Sequence, residues 1–399
     1  MAQSESKSGS SSLNTETNQS LSLVNIKANN FKSLVDFSLP FSKFNCLVGL
    51  NGSGKSTVLQ FVDFLSQQVS GGIDEWLESR HWSAKDLNST LTKQSNITFT
   101  VELSFAGKPV IWEASFNRKD LYCTSEKITW DGKALLNVAD GKFSLPTEDL
   151  QAPITFDYQG SILSQLREKQ LPKELVQFKS FFTELNALDM LSPEMLRDQH
   201  AGGKTLGVGG KMLSSFISSM SKDEKSNLVS TLKGLYPRLT KVDAMAQKST
   251  GTVKLEIEEK FAEKTIKTEA RHINDGLLRF MAIFAQLTKK QSALLLDEIE
   301  NGVNPELIEK LVDSLVAAKT QIIVTTHSPM ILNFMEDEVA KAGVVYLYKN
   351  EAGATQAIRL FDIPSMQRKL KFMGPGEAYE DTMLENLASE IATLELLDN

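Results

Sequence analysis

The sequence predicts an α/β fold: a mixed, largely parallel sheet that carries an antiparallel β-subdomain and a compact helical insert. Three observations predict it. The last third alternates short apolar strands with amphipathic helices, the pattern of a parallel sheet covered by helices. Residues 97–130 hold three alternating segments separated by turn residues. Near the start, a strand, a glycine-rich loop and a helix follow one another over residues 45–65.

In order along the chain, Leu23–Asn29 and Val35–Leu39 alternate as two edge strands. Asn45–Val48 is a short apolar strand. From Ser56 to Leu65 the residues Val58, Leu59, Phe61, Val62 and Leu65 recur at helical spacing. Ile97–Phe105, Val110–Phe116 and Leu121–Trp130 read as antiparallel strands, with Gly107, Asp131 and Gly132 at the turns. Ile154–Tyr158 reads as another strand. Residues 160–235 are mostly helical by pattern, broken at Pro172, Pro193 and the glycines between Gly202 and Gly210. Two short strands follow at Val253–Glu258 and Thr265–Thr268. Then come a helix over Asp275–Thr288, the buried strand Ala293–Leu296, a helix over Pro305–Ala317, the strand Gln321–Thr325, a helix from Met330 and the strand Val344–Tyr348. Five segments result: a disordered tail (1–21), an N-terminal lobe (22–159), a helical arm (160–250), a C-terminal lobe (251–361) and a C-terminal helical tail (362–399). The last would carry an amphipathic helix through Leu384, Leu387, Ile391, Leu394 and Leu397, as packing element or docking stripe. The polar start Ser4–Ser20 reads as disorder or as a docking segment.

Composition narrows the function. Hydrophobic residues make up 41% and charged residues 23% of 399, ordinary for a soluble globular chain. No apolar run reaches membrane-spanning length and no secretory signal opens the chain, so a cytoplasmic protein is expected. Cys46 and Cys123 are the only cysteines, which excludes a disulfide framework and a cysteine-based metal site. A net charge of −7 argues against general affinity for nucleic acid. Local basic stretches at Lys241–Lys267 and at Arg368, Lys369 and Lys371 remain, and a solvated face is the plainer reading of each.

Three motifs carry chemistry. Gly49-Leu50-Asn51-Gly52-Ser53-Gly54-Lys55-Ser56-Thr57 matches the P-loop pattern between a strand and a helix. Its backbone N–H groups from Asn51 to Thr57 would cradle phosphates, Lys55 would reach the β- and γ-phosphates, and Ser56 would bind Mg2+. Gly203-Lys204-Thr205 is a decoy, because Asp198 stands where the first glycine is needed. Asp297 and Glu298 end the apolar strand 293–296, where ligands bind in open α/β sheets. Asp297 would hold the metal, and Glu298 would orient or deprotonate the attacking water. His327, in Thr325-Thr326-His327-Ser328-Pro329 at the end of the next strand, could reach the γ-phosphate and sense its loss. Together these point to ATP and Mg2+ as ligands and to phosphoanhydride hydrolysis as the chemistry.

The order of P-loop, arm, Asn274-Asp275-Gly276-Leu277-Leu278-Arg279, Asp297-Glu298, Glu300-Asn301-Gly302 and Thr325–Pro329 resembles the ABC-type P-loop ATPases of the RecF/SMC/OLD group over residues 22–361. Stand-alone OLD-like (AAA_21-type) ATPases are the most similar. The resemblance implies a P-loop NTPase fold of ABC-ATPase head type, with ATP clamped between two heads. Asn274, Asp275 and Gly276 would complete the partner's site, and Glu300–Asn304 would run along that interface. Asn274 stands where the group usually has Ser. The resemblance also suggests Gln159 as a metal-contacting glutamine and Lys32 and Ser33 as flanks of the nucleotide. About 40 residues follow Leu360, too few for the TOPRIM nuclease domain of the OLD nucleases.

The function expected from this is an ATPase whose nucleotide-dependent homodimer or larger assembly controls a separate effector, such as a TOPRIM or HNH nuclease, in anti-phage defence. Two other readings stay open: a RecF/SMC-like repair ATPase that binds DNA directly, and an ATP-bound scaffold with negligible turnover.

Overall fold

The computed structural model describes residues 20–146, 152–188, 191–203, 205–247, 251–383, 387 and 390–393. Most of the expected N-terminal tail, and Leu384, Leu394 and Leu397 of the C-terminal stripe, lie outside them. Strand β1 (Leu21–Asn29) starts within the segment expected to be tail and pairs with β2 (Phe37–Pro40), Ile26 opposite Leu39. The chain then forms β3 (Phe44–Val48), the loop 49–54 and helices α1 (Lys55–Ser70) and α2 (Ile73–Ser79). Next come β4 (Asn96–Phe105), β5 (Lys108–Asn117), β6 (Tyr122–Trp130), β7 (Lys133–Ala139), β8 (Lys142–Ser144) and β9 (Ala152–Pro153). All but β3 join one antiparallel sheet in the order β2-β1-β4-β5-β6-β7-β8-β9.

The region expected to be a helical arm is mixed. Helix α3 (Lys173–Thr183) leads to a strand, β10 (Asn186–Leu188), and then to α4 (Pro193–Leu196), α5 (Leu213–Ser219) and α6 (Lys222–Leu235). A three-stranded sheet follows: β11 (Leu239–Gln247), β12 (Thr252–Phe261) and β13 (Lys264–Glu269). The expected boundary at 250/251 therefore falls inside a hairpin. Strand β11 escapes the sequence because only Leu239, Val242 and Ala244 of it are buried and its other face is charged. Ile154–Tyr158, expected to be a strand, has no strand pairing. Its aromatic rings instead pack edge-on or tilted against Phe143 and Tyr122.

The rest alternates as expected: α7 (Asp275–Leu287), β14 (Ala293–Leu296), α8 (Pro305–Val316), β15 (Gln321–Thr325), two short helices, then β16 (Val344–Lys349) and β17 (Thr355–Arg359). The second sheet has the order β10-β14-β15-β3-β16-β17, parallel except for the edge strand β17. Its apolar strands face a hydrophobic core on each side, as a pleated strand with period two requires. Cys46, Leu294, Leu296 and Val324 pack with α7 and α8, while Leu47, Leu295, Ile323 and Val345 pack with α1 and the antiparallel sheet. Leu387 and Ile391 are buried in the first of these cores, so that part of the C-terminal stripe is a packing element. No helix among the described residues is long and apolar enough to cross a membrane.

Candidate functional site

The site is built at the carboxyl ends of β14, β15 and β3. After Val48 the chain wraps closely against the β16–β17 hairpin. A Cβ on Gly49, at φ 147°, would lie 2.2 Å from the Leu347 carbonyl oxygen, and one on Gly54, at φ 112°, would lie 2.3 Å from Thr355 Oγ1. Only glycine fits either position. Thr355 is fully buried and donates its hydroxyl to the Ser53 carbonyl at 2.8 Å. Lys349 Nζ donates to the same hydroxyl oxygen, and Ser33 Oγ lies 2.7 Å from it. Ser33 thus braces the back of the loop. Lys32 sits beside α1, donating to Gln60 and lying 3.2 Å over the Trp82 ring. The loop's outer side, Asn51 and Gly52, is exposed, as is Ser56 at the start of α1, and Thr57 is half-buried.

Lys55 is only 5% exposed and folds back onto the loop, donating to the carbonyls of Gly49 at 2.8 Å and Leu50 at 3.1 Å. Burial lowers its pKa, and the fields of Asp297, Glu298 and Glu300 oppose that shift. A phosphate arriving there would replace neutral carbonyl partners with an anion, a stronger interaction for a desolvated ammonium.

Thr325 organises the carboxylates. Its buried hydroxyl donates to Asp297 Oδ1 and accepts the Glu298 backbone N–H at 2.8 Å. Glu298 holds φ at 49°, a left-handed conformation that side chains other than glycine rarely adopt, at the point where the strand ends. Asn301 Nδ2 donates to its Oε2 at 2.7 Å, and His327 Nε2 lies 3.5 Å from its Oε1. His327 is itself anchored through its backbone N–H, which donates to Glu300 Oε1 at 2.6 Å. The structure thus brings Asp297, Glu298 and His327 together. It adds Thr325, whose role the sequence left open, and Asn301 and Glu300, which the resemblance put along an interface and which here bond Glu298 and the His327 backbone.

At the start of α7, Asn274 caps the helix by accepting the Leu277 N–H at 2.9 Å, while Asp275 is ion-paired with Arg197. Both are exposed, and Gly276 is buried against the Gly302 carbonyl and Tyr236. Arg279, one turn on, packs against Gly302, and its Nε has no hydrogen-bond partner. Burial lowers the Arg279 pKa against the opposing fields of Asp275 and Glu298.

Gln159 is a correction. It lies beyond the carboxyl end of α1, where its amide donates to Asp74 Oδ2 and accepts the Asp74 N–H. Its neighbour Gly160 packs on the Gln68 carbonyl, about 20 Å along the helix axis from Lys55 at the standard rise. It cannot touch a metal at the P-loop. The strand that does end beside Asp297 is β10, whose Leu188 carbonyl accepts the Asp297 N–H. Gly203 and Thr205 of the decoy lie in a loop, and Lys204 is outside the described residues. Three lysines of the Lys241–Lys267 stretch are paired locally: Lys241 with Asp243, Lys254 with Glu269 and Lys267 with Glu258. Lys369 pairs with Asp381.

The donors available for a metal are the Ser56 hydroxyl and an Asp297 oxygen. Such a small, all-oxygen set suits Mg2+, which keeps several waters and binds together with substrate phosphates. Among the described residues no group of three His, Cys, Asp or Glu could cage a metal alone.

A glycine-walled loop on β3, paired carboxylates two strands away and a histidine between them give the arrangement of an ABC-type P-loop ATPase head fold. The comparisons agree. Residues 22–269 match the family "AAA ATPase domain", and the chain belongs to that family. Residues 213–333 match a second family, "AAA domain, putative AbiEii toxin, Type IV TA system". The solved Smc head bound to the C-winged helix domain of ScpA is similar over 88% of this chain and 100% of its own, with a TM-score of 0.54 and 12% identity. The Smc head with an extended coiled coil from Pyrococcus furiosus, bound to the C-terminal domain of ScpA, gives 88% and 100% coverage, a TM-score of 0.51 and 10% identity. At these identities the likeness is one of fold. No curated protein matches the chain in sequence.

Proposed function

We propose that the chain hydrolyses ATP, that two or more copies close around the nucleotide, and that this assembly controls a separate effector, a nuclease, in defence against phage. The observation that carries the hydrolytic part is the Glu298 carboxylate, held by Asn301 and beside His327, close enough for its field to act on Lys55. In the step proposed, Glu298 takes a proton from water as the water oxygen bonds to the γ-phosphorus. The bond from that phosphorus to the bridging oxygen breaks, leaving ADP and phosphate. Lys55 stabilises charge on the phosphates, and His327 senses the γ-phosphate. Ser56 and Asp297 would hold Mg2+, which neutralises phosphate charge when bound.

Pairing is supported by Asn274 and Asp275, exposed at a capped helix start, where the family resemblance puts the residues that complete another copy's site. A separate effector is supported by the Smc heads whose structures contain a ScpA domain; the nuclease and the defence role rest on the family resemblance. The ion-paired lysines of β11–β13 favour this reading over direct DNA binding.

Light scattering and turnover test the proposal together, on wild type and Glu298→Gln, with and without ATP and Mg2+. We expect the variant to lose turnover and to gain mass only with ATP. Unchanged mass in both proteins would overturn nucleotide-driven pairing. Unchanged turnover in the variant would remove Glu298 as the base.

A further inference from the structure

At the far end of α1 from the P-loop lies a groove of about 1060 Å³ between α2, the β6–β8 end of the antiparallel sheet and the segment 154–159. Its floor is aromatic. The Tyr122 and Tyr158 rings lie 5.0 Å apart, Phe156 and Tyr158 6.3 Å apart, and Phe156 is 38% exposed in spite of its size. Its rim is acidic: Glu75, Asp120, Asp140 and Asp157 line it and are exposed, whereas no Lys, Arg or His is among the lining residues.

This pairing of surfaces has a specific chemical meaning. An open aromatic face presents negative charge to a cation, and the gain grows where water is displaced. Carboxylates around it raise the local concentration of cations and reject anions. The volume exceeds what one small ligand of ordinary size fills, so several side chains of a peptide fit. Nucleic acid is repelled by the same rim.

We propose that this groove is a docking site for a basic, Arg- or Lys-rich peptide segment of a partner protein, with a cationic side chain seated over Phe156 and its neighbours contacting the rim. The groove is about 20 Å from the P-loop along α1, so it stays open while the nucleotide end is engaged. It adjoins the end of that helix, where the Ser161 N–H donates to the Gln68 carbonyl at 2.8 Å. The proposal does not depend on hydrolysis or on pairing.

The experiment is a fluorescence-anisotropy titration of the nucleotide-free full chain with a labelled Arg-Lys-Gly repeat peptide. Spermidine and an acidic peptide serve as comparison ligands. Phe156→Ala and the double variant Asp140→Asn/Asp157→Asn remove the two kinds of contact at exposed positions. Glu306→Gln/Glu309→Gln on α8 removes the same charge elsewhere. We expect the basic peptide to bind wild type, each groove variant to weaken it about tenfold, and the α8 variant to leave it unchanged. Equal losses in all variants would reduce the binding to net charge and overturn the proposal. So would a groove that takes spermidine and not the peptide, or one that binds neither.

Discussion

The two large sheets share α1 between them and are built in opposite ways. In the antiparallel sheet β4 to β9 pair with their neighbours in chain order, and Trp112 at its centre contacts Phe99, Phe178 and Phe182. In the parallel sheet, strands distant in sequence lie side by side: Val324 is opposite Cys46. At its carboxyl end sit Gly49, Gly52 and Gly54 at positive φ, Glu298 in a left-handed conformation and a Glu300 oxygen buried without a partner, whereas the positive-φ residues of the antiparallel sheet, such as Ala106, Asp131 and Asp140, lie in its turns. The difference teaches a division of labour. Regular pairing and aromatic packing hold the molecule together, and the candidate site gathers at the carboxyl edge of the other sheet.

The comparison breaks if stability and nucleotide binding cannot be separated. Trp112→Ala removes the centre of the aromatic cluster and the hydrogen bond from Nε1 to Glu126. We expect a loss of about 3–5 kcal/mol in denaturant unfolding, with ATP affinity of the folded protein unchanged. Lys55→Ala should do the reverse: ATP binding weakened about 100-fold, by the loss of a desolvated charge facing phosphate, with the unfolding midpoint little moved. Calorimetric titration and chemical denaturation check both. A Trp112 variant that loses ATP binding while folded would show that the two sheets are not independent.

The sequence carried the parallel sheet well because its strands are short apolar runs between clear helices, and its motifs sit at strand ends. It carried less of the arm. Asn186–Leu188 is three residues long and becomes a strand only because β14 lies beside it, a tertiary fact with no local signal. Ile154–Tyr158 failed for the opposite reason: its alternation is strand-like, but its rings are used in the groove. Gln159 followed that error, since a residue after a strand of the parallel sheet would have reached the phosphates. Thr325 was visible within its motif, but its two hydrogen bonds were not, because Asp297 and Glu298 meet it only through the pairing of β14 with β15.

Thr325 sharpens the comparison inside the strained edge. Thr325→Val keeps the shape and removes both bonds, so the Glu298 N–H is left unpaired while its φ remains strained. We expect turnover to fall about tenfold, the equivalent of one poorly satisfied buried group. Affinity for ATP without Mg2+ should hold within about twofold, because neither bond reaches Lys55. Steady-state kinetics with separate binding measurements checks this. Equal losses in affinity and turnover would mean that Thr325 shapes the phosphate loop and not the carboxylates.

The smallest effect tests whether the regular sheet is free of functional electrostatics. Glu126 is 2% exposed and accepts from Trp112 Nε1, Ser161 Oγ and the Ile162 N–H. Burial outweighs those three donors and raises its pKa from 4.5 to about 7. The sign follows from linkage: between these values the folded chain binds more protons than the unfolded one. The stability Glu126 contributes is therefore fully present below pH 4.5 and is lost as pH rises through about 7. Glu126→Gln cannot titrate, so its unfolding free energy should lack this part of the fall between pH 5 and 8, whatever its absolute stability. Denaturant unfolding at several pH values in that window measures the slope. A variant with the wild-type slope would show that the three donors keep Glu126 charged, and that its pKa lies below the window.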